Sequence, residues 1–179
     1  MTDNGKSIYH AVKNVRLFLV EIARMLSDCD RLMSDQGWES IGTASVSGSS
    51  TSINIPEKWI PYAINRVYLK EDQRHTAKAI AIILDDEWKD RVIEPVMVGS
   101  SYATVDEKLV GLYGWDHTWW WLEFTDGISD GKIKTVNSKG REKKEFQRFT
   151  DIRLFGWPMA EFSNAEHIKS QIIDILTAN

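Results

Sequence analysis

Asp85, Asp86 and Glu87 stand consecutively in this sequence, with Lys89 two residues beyond the last of them. Clustered carboxylates can hold a divalent cation, and a nearby lysine can stabilise a developing negative charge. Together they would suit metal-assisted catalysis. The same residues also fit a solvated turn in which Asp85 or Asp86 caps the next helical turn. Asp116 and His117, with Glu123 beyond them, offer a second constellation, because an imidazole oriented by a carboxylate is a common acid–base pairing. Strand geometry works against it. Neighbours on a strand point to opposite faces, and His117 and Glu123, which share a parity, stand roughly 20 Å apart along an extended chain. His117 therefore reads as a surface or hydrogen-bonding residue. His10, His75 and His167 have no ligand-like spacing to one another or to the single cysteine, so no zinc site is expected. Cys29 falls on the apolar stripe of the first helix, where burial disfavours a thiolate and the residue reads as part of the core. No Gly-X-Ser-X-Gly elbow is present. No catalytic set is complete, and no cofactor is implied.

Binding chemistry is concentrated from Gly114 to Phe124, which reads Gly-Trp-Asp-His-Thr-Trp-Trp-Trp-Leu-Glu-Phe. As a strand this stretch puts Thr118, Trp120, Leu122 and Phe124 on one face and Trp119, Trp121 and Glu123 on the other, so both faces carry large rings. Such a strand is covered on two sides or keeps one face for a partner. Trp115, Trp119, Trp121 and His117 are the binding residues this reading selects. A second candidate is basic. Between Lys132 and Arg153 eight basic residues oppose three acidic ones, and this net +5 leaves −9 for the rest of a chain whose total is −4. Lys132, Lys134, Arg141, Lys143, Lys144 and Arg148 could receive an acidic partner or nucleic acid, with Phe146 and Phe149 available for stacking. A solvated hairpin accounts for the same run, since Glu142 and Glu145 are interspersed with it.

Glu87 and Lys89 have the Glu-X-Lys spacing, and in this they resemble part of the motif of restriction-endonuclease-like nucleases, with Asp72 as an upstream carboxylate. The resemblance implies a metal-dependent nuclease site at these residues. It departs from the family's pattern, in which Glu-X-Lys lies within an apolar strand; here the pair follows the strand's end.

These side chains need elements to position them. From Ile8 to Met33 apolar residues alternate at spacings of four and three (Ile8, Val12, Val15, Leu19, Ile22, Leu26, Cys29, Met33), which predicts a long helix. Ala11, Phe18, Met25 and Leu32 add a second row, and a stripe this wide suits packing on a globular core. Gly37 is the expected stop. Asp28, Asp30 and Asp35 oppose the helix dipole near that end and read as a solvated acidic terminus. Strand-like pairs, Ile41 with Thr43 and Ile53 with Ile55, flank Ser45–Ser52, which reads as a hairpin tip or mobile loop. Strands are expected from about Ala63 to Lys70, from Ala77 to Leu84 as a central strand buried on both faces, from Val96 to Ala103 and from Lys132 to Val136. From Arg141 to Phe155 helical and strand spacings compete, with a strand favoured from Thr150. A helix from Asn164 to about Thr177 closes the chain, with Ser163 and Glu166 spaced as a capping box.

The 179 residues fit one domain with a sizeable core, so residues 1–179 are read as a single α+β domain. Its expected architecture is a largely antiparallel sheet of about six strands packed against a long N-terminal helix and a C-terminal helix. With 42% hydrophobic and 27% charged residues the chain is that of an ordinary globular protein. No stretch approaches the apolar length of a membrane span, and Lys13, Arg16 and Glu21 interrupt the apolar run that a secretory signal would need. A cytoplasmic location is expected, with no membrane partner. The function expected from these features is binding, to a protein partner or to itself, through a tryptophan-rich sheet face or the N-terminal helix. A phosphodiester hydrolase using Asp85, Asp86, Glu87 and Lys89 is the alternative, and nucleic-acid binding by 132–153 the weaker one.

Overall fold

The computed structural model describes residues 3–42, 45–47, 52–54, 60–73, 75–85, 94–104, 130–136 and 149–178. Helix α1 (Asp3–Ser34) runs for 32 residues, about 48 Å at the α-helical rise. It stops where the sequence indicates. Gly37 adopts φ 77°, its amide bonds to the Ser34 carbonyl at 2.8 Å and that of Trp38 to the Met33 carbonyl at 3.0 Å. This is a Schellman termination, sealed by contact between the buried Trp38 and Met33.

Seven strands follow among the described residues: β1 (Glu39–Ser40), β2 (Ser45–Ser47), β3 (Ala63–Leu69), β4 (Thr76–Ile83), β5 (Val96–Thr104), β6 (Lys134–Val136) and β7 (Phe149–Pro158). They form one antiparallel sheet in the order β1-β3-β4-β5-β7-β6, with β2 also on β3. β1 pairs with the Tyr68–Leu69 end of β3 and β2 with its Ala63–Asn65 end, so the two short strands share one edge and the sheet is six positions wide. After a single turn of 3-10 helix (Met159–Glu161), helix α2 (165–177) closes the fold. Its middle, Lys169–Ile173, is a π segment between two α turns.

The α+β architecture and the antiparallel sheet match the sequence reading. β4 is the central buried strand, with every residue from Ala77 to Ile83 buried. On one face Tyr68, Ile80, Ile82, Met97 and Phe155 pack beneath the C-terminal half of α1 and beneath α2. On the other, Val67, Ala79, Ala81, Val98, Tyr102, Ile152 and Leu154 form a second buried cluster. Gly99 leaves room for the Phe155 ring on the helix-covered face: a Cβ there would have three Phe155 ring atoms within 3.0 Å.

Four local readings are corrected. Ser45–Ser47 is a strand, not a loop tip, because β3 offers its backbone a ladder that outweighs the weak strand preference of serine. The expected strand at Ile41 is displaced to Glu39–Ser40, with Ile41 donating one further bond to the Val67 carbonyl. Ile53 lies in a turn, 81% exposed. The cap of α2 is Asn164 rather than Ser163: Asn164 is extended, and its side-chain oxygen accepts from the His167 amide at 3.1 Å. The strand favoured from Thr150 is present as β7, starting one residue earlier at Phe149, with one extra residue against β5 where the register shifts between Ser101 and Ala103. Asp151 takes φ 55° beside that irregularity, a conformation that aspartate tolerates better than most residues.

Candidate interaction surface on the N-terminal helix

The apolar stripe of α1 divides into two halves with different fates. Ile22, Leu26, Cys29 and Met33 are buried against the sheet and α2, with Leu19 partly covered at the boundary. Before that boundary the same stripe lies open. Ile8 is 66% exposed and Val12 47%, whereas Ile22 is 1% exposed, and Tyr9, Val15, Phe18, Leu17 and Val20 are exposed as well. The expectation that the whole stripe packs on the molecule's own core is therefore corrected: the core covers about half the helix, and the remaining turns run beyond it. A heptad-spaced apolar seam left in water carries a free-energy cost, at roughly 25 cal/mol per Å² of apolar surface. Isolated exposed side chains are ordinary, but a contiguous row is not.

Within the covered half α1 is fastened to β3, the strand inside the β1/β2 edge, by a charged network. Asp30, one of the residues read as a solvated acidic end, accepts from Arg66 Nε at 2.9 Å and from Arg66 Nη2 at 2.7 Å. It also accepts from the hydroxyl of the buried Tyr68 at 2.9 Å. Arg66 donates in addition to the Gly42 carbonyl at 2.6 Å and to Ser40 Oγ at 3.0 Å. The Asp30 carboxylate raises the Arg66 pKa further above its ordinary value, while burial first, with the Cys29 and Asp30 charges after it, pushes the Tyr68 phenol well up. Asp28 and Asp35 do behave as surface charges, each within 4 Å of Arg31. The network forms the polar end of a groove of about 480 Å³ whose apolar wall is Leu19, Ile22, Ala23, Leu26 and Ile64. The groove meets the seam at Leu19. Strand alternation places Arg66 and Tyr68 on one face and Asp30 flanks the stripe of α1, but no spacing in the sequence ties the two elements together.

Two other buried titratable groups among the described residues are structural. Cys29 is buried, with its thiol raised far above its ordinary value by desolvation first and then by Asp30 and Asp28; it is the core residue expected. Lys78, at the centre of the sheet, is 6% exposed. Its ammonium donates to the carbonyl of Leu176 and lies 4.4 Å from the centre of the Trp38 ring. Burial, with Arg153 and Lys70 nearby, brings it down to about 8.

Of the residues selected from sequence, Trp115, His117, Trp119 and Trp121 lie outside the described residues, as do Asp86, Glu87, Lys89, Arg141, Lys143, Lys144 and Arg148. Asp85 is exposed just beyond β4. Lys132 is exposed and paired with Asp130 at 2.7 Å, and Lys134 is exposed on β6. Among the described residues no three His, Cys, Asp or Glu side chains come together in a way that could hold a metal ion, and no helix is long and apolar enough to cross a membrane. No family model, curated protein or solved structure matches this chain.

Proposed function

We propose that this protein acts by binding, and that it binds copies of itself through the N-terminal half of α1. The observation that carries this reading is the exposure of Ile8, Val12, Val15 and Phe18 on a helix whose continuing stripe is core from Ile22 onward. One seam with one spacing runs through both halves, so the exposed half has the side chains of a packing surface without the packing. Seven of the ten large apolar side chains exposed among the described residues, from Ile8 to Val20, stand on this half of the helix, with charged residues such as Lys13 and Arg16 at or beyond the edges of the seam. This is the makeup of an interface core with a polar rim.

Sedimentation velocity tests the reading. The wild-type chain is expected to assemble with concentration and the Val12→Asp/Val15→Asp variant to remain at the 20.5 kDa of one chain, with unchanged near-ultraviolet circular dichroism. Both positions are exposed, so the substitutions leave the core intact. A wild type that stays at one chain mass throughout, or an assembly indifferent to the two aspartates, would overturn it.

A further inference from the structure

Resting on that reading of the seam, we infer that the occupant is a single second copy, laid antiparallel so that Ile8 packs on the other copy's Leu19 and Val12 on its Val15. The heptad spacing makes this register self-complementary. Ile8 and Val15 occupy one class of seam position and Val12 and Leu19 the other, and antiparallel helices stack the first class of one copy on the second class of its partner. A two-fold axis midway between Val12 and Val15 generates all four layers, over 12 residues or about 18 Å of helix. The flanking positions agree. Arg16 would come beside the ring of the other copy's Tyr9, a cation–π pairing; in a parallel pair it would face Ala11.

The direction follows from the core. From Ile22 onward the seam face is occupied by the chain's own sheet and by α2. A parallel partner would run into that space and bring two sheets to the same end of the pair, whereas an antiparallel partner places the two bodies at opposite ends. The area suffices for one partner. Ile8, Tyr9, Val12, Val15 and Phe18 are between 37% and 66% exposed, and with the stems of neighbouring polar side chains two copies would remove on the order of 1,000 Å² from water, the lower bound of a specific interface. Leu17 and Val20 lie off the seam and stay exposed.

Cysteine cross-linking in the full chain reads the register. The native Cys29 is 0% exposed and stays out of the reaction. When Ile8→Cys and Leu19→Cys chains are mixed and oxidised, the mixed disulfide is expected to exceed either homodimer at least fivefold. Val12→Cys mixed with Val15→Cys, both at exposed positions, gives the same readout should Leu19→Cys fail to fold. Predominant Ile8→Cys homodimer would mean a parallel pair and overturn the inference. So would assemblies larger than two chains, or a dimer sensitive to Val12→Asp/Val15→Asp that forms no mixed disulfide; in those cases self-binding through the helix stands. A wild-type monomer, including one that cosediments with anionic phospholipid vesicles, overturns both.

Discussion

Replacing Asp30 by alanine removes the acceptor on which Tyr68 and Arg66 converge, and with it the fastening of α1 to β3. Tyr68 is 0% exposed and its hydroxyl reaches Asp30 at 2.9 Å; a buried donor left without a partner costs about 1–3 kcal/mol. Arg66 would keep the Gly42 carbonyl and Ser40 hydroxyl, so its share is smaller, on the order of 1 kcal/mol for a pair partly open to solvent. The expected loss is about 2–4 kcal/mol, or about 5–15 °C in Tm for a chain of this size. Tyr68→Phe removes one hydrogen bond and should cost about 1 kcal/mol in the wild type. In the Asp30→Ala background it should cost close to nothing, because the hydroxyl is already stranded. Urea unfolding of the four proteins, followed by far-ultraviolet circular dichroism, yields a coupling of about 1 kcal/mol or more. Additive losses, or an Asp30→Ala variant as stable as wild type, would refute the network's role in holding the helix.

Three further outcomes follow from the fold. Gly99→Ala forces a methyl against the buried Phe155 ring and should lower stability by about 1–3 kcal/mol in the same urea assay. Asp151 holds φ 55°, so Asp151→Gly should raise stability by about 0.5–1 kcal/mol and Asp151→Val lower it by about 1–2 kcal/mol, measured as shifts in the thermal midpoint. The Cys29 thiol is raised by burial from an ordinary 9.0, so above that pH the folded chain keeps a proton that the unfolded chain releases. Its contribution is complete below about pH 9 and lost as pH rises, at about 1.4 kcal/mol per unit. Urea midpoints from pH 8 to 10 should therefore fall more steeply for wild type than for Cys29→Ala.

Period and punctuation made much of the fold legible. The four-three spacing of Ile8 to Met33 gave α1, Gly37 its end, and the unbroken apolar run Ala77–Leu84 the central strand. What escaped were features decided by partners distant in sequence. Ser45–Ser47 has no strand character of its own and becomes a strand because β3 has an open edge. Ser163 has the spacing of a cap, yet the extended backbone at Asn164 brings the asparagine oxygen to the His167 amide first. The acidic end of α1 looked solvated because Arg66 stands 36 residues from Asp30, beyond any helical or strand period. The seam itself was visible as a stripe, but a stripe does not say how much of it the chain's own core will reach. That depends on where β1 turns the chain back under the helix.

The central proposal, that the uncovered half of α1 is covered by a second copy, is most directly tested by hydrogen–deuterium exchange of the wild-type chain over a range of concentrations. Amides in 8–20 should be protected at high concentration and lose that protection on dilution, while those in 24–33, which belong to the core half, keep theirs throughout. Exchange in 8–20 that does not change with concentration would contradict it.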